Sequence, residues 1–115
     1  MMHYLAADLT FVCADPARDT DEEFDEFTDA IADALLDLAE ADDGIVDPDV
    51  TARIADRCAS VLMGVRADSE HDAFRLFSAN LRAALHATGC GTAGWLTFRP
   101  TTRAPKVRKA EFARS

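Results

Sequence analysis

Val50-Thr51-Ala52-Arg53-Ile54-Ala55-Asp56-Arg57-Cys58-Ala59-Ser60-Val61-Leu62-Met63-Gly64-Val65-Arg66 is the stretch whose reading decides the fold. Two readings compete. As a helix it starts from Asp47 as cap with Pro48 at the first position, and Val50, Ile54, Cys58 and Leu62 recur four apart. As a hairpin it gives strands near 50–55 and 58–66 with Asp56-Arg57 at the turn. That register sets Ala52 opposite Val61 and Val50 opposite Met63. Val50, Ala52, Ile54, Ala59, Val61, Met63 and Val65 then share one face, and Thr51, Arg53, Ser60, Leu62, Gly64 and Arg66 the other. Side chains alternate along a strand, so a slip of one residue would scramble both sets. Their agreement across the turn favours the hairpin. Asp-Arg is a poor two-residue turn, which points to a longer loop.

Helical patterns lie on both sides of this hairpin. In residues 20–38, Phe24, Phe27, Ile31, Ala34, Leu35 and Leu38 recur at three- and four-residue steps and form one apolar stripe. Thr20 and Glu23 have the spacing of a capping box. The other faces are acidic, with Asp25, Asp29, Asp33, Asp37 and Glu40 in one row. A solvated helix face explains that row more simply than a metal site or a mimic of nucleic acid, since no EF-hand spacing is present. Asp42-Asp43-Gly44 and Asp47-Pro48-Asp49 read as loop and turn. Ser69 caps a second helix with Asp72 at the answering position; its stripe is Phe74, Phe77, Leu81, Ala84, Leu85 and Thr88, and Gly89 suits its C-terminal end.

The outer segments read as strands. From His3 to Ala14, Leu5, Ala7, Leu9, Phe11 and Cys13 alternate with Tyr4, Ala6, Asp8, Thr10 and Val12. Residues 95–99 form the last strand, with Leu96 and Phe98 inward and Trp95 and Thr97 outward. The order is therefore β-α-β-β-α-β. This defines an α+β, ferredoxin-like domain over residues 1–99, with a four-stranded antiparallel sheet and two helices on one face. Residues 100–115 are a basic C-terminal tail, expected to be flexible or to lie on a partner.

The 115 residues suit one domain and carry a net charge of −9, unevenly placed. Residues 1–98 sum to −14 and residues 99–115 to +5. The three cysteines, Cys13, Cys58 and Cys90, have neither disulfide nor zinc spacing and read as reduced thiols in or near the core. No apolar run is as long as a membrane span, and residues 1–4 lack signal-peptide features, so a cytoplasmic protein away from membranes is expected.

Asp47-Pro48-Asp49-Val50, the hairpin, Ala67-Asp68-Ser69, Leu85-His86-Ala87 and Gly94-Trp95 together resemble small acidic bacterial proteins of unassigned function, read as ferredoxin-like single domains. The likeness covers residues 47–95, less clearly 3–40, and not the tail. It implies the fold and no catalytic residue.

The open sheet face is the most informative surface. It is expected to show Tyr4, Asp8, Thr10, Val12, Arg53, Leu62, Arg66, Trp95 and Arg99, with Arg103 and Arg108 following in the tail. Trp, Tyr and Arg are favoured at interface hot spots. The expectation is a non-enzymatic interaction or regulatory module, a homodimer docked sheet to sheet, with the tail reserved for a protein partner. The runner-up is a nucleic-acid or small-ligand binder on the same face. The −14 body and the absence of an RNP-like run weigh against nucleic acid. His3, His71 and His86 lack ligand spacing, a Cys90–His86 dyad is the weak enzymatic alternative, and nothing points to a cofactor or a metal.

Overall fold

The computed structural model describes residues 2–13, 15–41, 44–88, 98–101 and 107–110, Arg99 by its backbone alone. Strand β1 (Met2–Cys13) leads through a short 3-10 turn at Pro16–Arg18 into helix α1 (Asp21–Ala41). Strands β2 (Ile45–Arg53) and β3 (Cys58–Arg66) follow, then helix α2 (Glu70–Ala87). Two three-residue strands come last, β4 (Phe98–Pro100) and β5 (Val107–Lys109). The sheet order is β2-β3-β1-β4, with β5 also paired to β1, and all pairings are antiparallel. β1 and β2 therefore run parallel to each other with β3 between them. This is an α+β open sheet with two helices, compatible with a ferredoxin-like fold.

The stretch 50–66 is a hairpin, but its register differs from the expected one. Ala52 pairs with Ala59 and Val50 with Val61, a shift of two residues. The cause lies in the loop. Ile54–Asp56 coils into a 3-10 turn and Arg57 closes it at φ 52, so four residues replace the two-residue turn. Loop length sets register, and a shift of two returns every side chain to its own face. Ala59, Val61, Met63 and Val65 are accordingly buried to the last percent, while Thr51, Arg53 and Arg66 are exposed.

Asp47-Pro48 is a second correction. It is no turn between elements but an irregularity inside β2, where the register shifts between Val46 and Asp49 and Asp47 takes φ 50. β2 is the sheet's outer strand, and Pro is confined to such edges and bulges because it cannot donate to a ladder.

The caps form where the sequence places them. Thr20 Oγ1 accepts from the Glu23 amide at 3.1 Å and Ser69 Oγ from the Asp72 amide at 3.1 Å. Helix α1 buries Phe24, Thr28, Ile31 and Leu35; α2 buries Ala73, Phe77, Leu81 and Ala84. Thr28, a polar residue in that set, satisfies its hydroxyl by donating to the Asp25 carbonyl at 3.0 Å. Both stripes lie on Leu5, Ala7, Leu9 and Phe11 of β1 and on the inner face of β3. At one end Phe11, Phe24, Phe27 and Phe98 interlock, edge to face at 5.0 Å for Phe11–Phe27 and 5.1 Å for Phe24–Phe98. This cluster fixes β4 to α1.

The chain's end departs most from expectation. The last strand was expected over 95–99; the described strand is 98–100, and Trp95 and Gly89 lie outside the described residues. The basic segment also contributes β5, which pairs Val107 with Ala7, Arg108 with Ala6 and Lys109 with Leu5. Val107 packs on the core, and the Ala110 amide donates to the Tyr4 carbonyl at 2.9 Å. β4 and β5 thus share the one edge of β1 that β3 leaves open.

Candidate docking surface

Alternation along β1 and β3 sends Tyr4, Asp8, Thr10 and Val12, with Ser60, Leu62, Gly64 and Arg66, to the side away from the helices. β2 adds Val46, Thr51 and Arg53, and β5 adds Arg108. No described element packs across this face. It divides into an apolar end and a polar middle.

The apolar end is built around Gly64. It pairs with Tyr4 on one side and Val46 on the other, and these side chains close over it. A Cβ at Gly64 would stand 2.7 Å from Val46 Cγ2, 2.9 Å from Tyr4 Cε1 and 3.1 Å from Met2 Sδ. The missing side chain thus lets an aromatic ring lie across the strand. Tyr4 keeps 37% of its surface exposed, and half-buried Leu62 stands beside it on the strand. Arg66, exposed, marks the end of β3.

The polar middle is centred on Asp8. Its carboxylate accepts a short hydrogen bond from the Ser60 hydroxyl and pairs with Arg108 Nη2 at 3.1 Å. The Ser60 bond and then the Arg108 charge hold the carboxyl below its ordinary range against an opposing effect of partial burial, and Arg53 adds to this. Arg53 lies over Cys58, donating to its Sγ at 3.2 Å. Cys58 is therefore buried, as expected of a thiol in or near the core, and it lies beneath an arginine on the open side of the sheet. Cys13 is half-buried against the core, and Cys90 lies outside the described residues.

Of the residues expected on this face, Tyr4, Arg53, Leu62 and Arg66 are brought together there. Arg108 joins them from β5, already paired with Asp8. Arg99 pairs with Val12 through its backbone, and Trp95 and Arg103 lie outside the described residues. The segment read as a tail for partners has two of its bases engaged within the chain, Arg108 on Asp8 and Lys109 on Glu70 at 2.7 Å. Sequence reading misses Val46 because Asp47-Pro48 reads as a turn that hides the strand before it, and Met2 because the first strand reads as starting at His3. Gly64 opposite Tyr4 was a legible signal, since a strand glycine often marks a close approach.

Among the described residues no group of three or more His, Cys, Asp or Glu side chains could hold a metal ion. His71 and His86 are exposed on α2, while His3 is half-buried and its Nε2 has no hydrogen-bond partner among the described residues. No described helix is long and apolar enough to cross a membrane. The chain matches no protein-family model, no curated protein and no solved structure.

Proposed function

We propose that this chain is a non-enzymatic interaction module of ferredoxin-like plan that docks a protein partner through its open sheet face. The observation that carries the reading is the uncovered apolar end, Tyr4 across Gly64 with half-buried Leu62 two residues along β3, and at its margin Arg66, which has no ion-pair partner among the described residues. Aromatic and arginine side chains around a small apolar patch are the usual anchors of a docking site. The sheet's β2 edge offers no competing route, because Asp47, Pro48 and Asp49 block strand addition. The order of elements, with β1 and β2 parallel about β3, supports the ferredoxin-like reading. The odd number of cysteines suits a cytoplasmic setting.

A second copy laid sheet to sheet is the narrower form of the proposal. It would bring Arg53 and Arg66 of both copies into one interface, so a partner with an acidic contact surface fits better. Arg66 beside Tyr4, with Arg53 further along the same face, also favours, as a second reading, a single-stranded nucleic acid stacked on the ring, against the repulsion of the acidic body. The test is a variant carrying Tyr4→Ser and Leu62→Asp. Affinity capture from the native cytoplasm, repeated with the purified partner, should show binding at least tenfold weaker for the variant. Equal binding by wild type and variant would overturn the proposal. Low-salt titration with single-stranded RNA decides the second reading.

A further inference from the structure

Among the described residues the exposed large apolar side chains are Tyr4, Val12, Leu36 and Leu76, at 37, 44, 49 and 41% exposure. Two belong to the sheet face. The other two stand one on each helix, on the opposite side of the molecule. The helices around them differ in charge. The outer side of α1 carries exposed Asp25, Asp29, Asp33 and Asp37, and no base among the described residues pairs with any of them. The outer side of α2 carries exposed His71, Arg75, Arg82 and His86. Arg75 has only Asp72 at 3.5 Å, and Arg82 has no ion-pair partner among the described residues. An open groove of about 830 Å³ runs along this side of α2, lined by Arg66, Arg75, Leu76 and Arg82 and, at its start, by Asp68 and Asp72. One helix thus offers an acidic ridge, and its neighbour a groove with acids at its start and the arginines Arg75 and Arg82 further along.

We propose that the helix layer is a self-association surface in which a second copy of this chain places its α1 on α2 of the first, and reciprocally. Symmetry makes both contacts at once. The helices are antiparallel neighbours, since Glu23, Glu26 and Phe27 near the start of α1 share a cleft with Thr88 at the end of α2. A two-fold axis parallel to the helices sets α1 over α2 of the other copy twice, a closed and self-complementary contact. An axis across the helices would set α1 on α1, acid against acid, so the charge pattern selects the first arrangement. There Arg82 and His86 meet the half of the facing α1 that carries Asp25, Asp29 and Asp33, and Arg75 meets the later half that carries Asp37. The four-residue step of the aspartate row, about 6 Å, matches the step from Arg82 to His86, while Arg75 stands about 10 Å from Arg82 along the axis, near Asp37 of the facing row. Leu36 and Leu76 supply apolar contact within a charged surround. The interface meets the sheet face only at Arg66, at the start of the groove, and leaves both sheet faces turned outward.

The test is a charge exchange read by sedimentation and light scattering at about 100 µM protein, in roughly 20 mM and about 0.5 M salt. Wild type should have the mass of two 12.5 kDa chains at low salt and of one at high salt. Asp29→Arg with Asp33→Arg should give a monomer, and so should Arg75→Glu with Arg82→Glu. All four positions are exposed, so circular dichroism should match wild type. Mixing the two variants should restore a dimer, because each then meets a helix of opposite charge. A wild type that is monomeric at both salts, a dimer indifferent to these exchanges, or variants that stay apart when mixed would overturn the proposal. So would a dimer that Tyr4→Ser with Leu62→Asp dissociates while the helix variants leave it intact; that outcome places self-association on the sheet.

Discussion

The guanidinium of Arg57 lies 5.5 Å from the centre of the Phe24 ring while it bridges Asp19 Oδ1 at 2.6 Å and Asp21 Oδ1 at 3.0 Å. One side chain from the β2–β3 loop thereby holds the start of α1, covers a fully buried ring and bonds its own loop at the Ile54 carbonyl. The two carboxylates hold the Arg57 guanidinium above its ordinary pKa. The residue adopts φ 52, a conformation that suits glycine better. Its contacts keep an arginine there despite the backbone cost.

Arg57→Ala should therefore lower the melting temperature by several degrees, and Arg57→Lys should recover little of it, because a lysine cannot bridge two carboxylates from a planar fork. Arg57→Gly loses the same contacts without the left-handed penalty and should melt above Arg57→Ala. Thermal melts of the three variants check the order. An alanine variant as stable as wild type would show that the clasp contributes nothing.

Phe98 anchors β4. It is 1% exposed and touches Phe24 and Phe27 at 5.1 and 5.3 Å between ring centres. Phe98→Ala should cost about 3–5 kcal/mol in urea unfolding, as for other buried aromatic truncations. Loss of under about 1 kcal/mol would mean that β4 is not held by this cluster.

The hairpin, both helices, their caps and the inward faces were legible because each is written in local periodicity. Register was not, since it depends on a 3-10 turn and a positive φ at Arg57 that no apolar pattern encodes. The path of 107–109 was hidden for a different reason. Val107-Arg108-Lys109 has one apolar residue, and it becomes a strand only because β1 has a free edge and because Asp8 and Glu70 receive its charges. On the sheet face, Tyr4, Arg53, Leu62 and Arg66 could be placed by alternation. The burial of Cys58 under Arg53 could not, because it comes from cross-strand neighbours.

Deleting residues 102–115 tests that path. β5 covers the Leu5 to Ala7 edge of β1 and brings Val107 to the core. The shortened chain should unfold at lower urea, and the amides of β1 near Leu5 and Ala7 should exchange faster than in wild type while those of α1 do not. Unchanged exchange at these amides would show that β5 adds nothing to the edge.

Asp8 gives a pH signature. Its folded pKa lies below the ordinary value of about 3.9 through the Ser60 hydroxyl and then the Arg108 charge. A depressed carboxylate stabilises the fold at pH values above its unfolded pKa, and the effect is lost as pH falls through the folded value. Its side chain is 47% exposed, so solvent screening keeps the contribution to about 0.5 kcal/mol. Wild type should exceed Asp8→Asn by that small, constant margin from about pH 5 to 7, and the margin should close below about pH 4. A margin that widens in acid would contradict the assignment.

Gly64 links fold to docking. A methyl group there meets Val46 Cγ2 at 2.7 Å and the Tyr4 ring at 2.9 Å, and a half-buried valine on a strand cannot swing aside as a long side chain would. Gly64→Ala gains the better strand propensity of alanine but must displace one of these neighbours, for a net loss of about 1 kcal/mol. The ring is the neighbour with open space beyond it, so Tyr4 should lift from the sheet. Tyr4→Ala in the same chain removes that neighbour and should recover part of the loss, giving a favourable coupling in a double-mutant cycle. If the docking reading holds, Gly64→Ala alone should weaken partner binding although residue 64 is itself buried, because it tilts the anchor that the partner meets. Additive stabilities in the cycle would show that glycine does not set the ring's position.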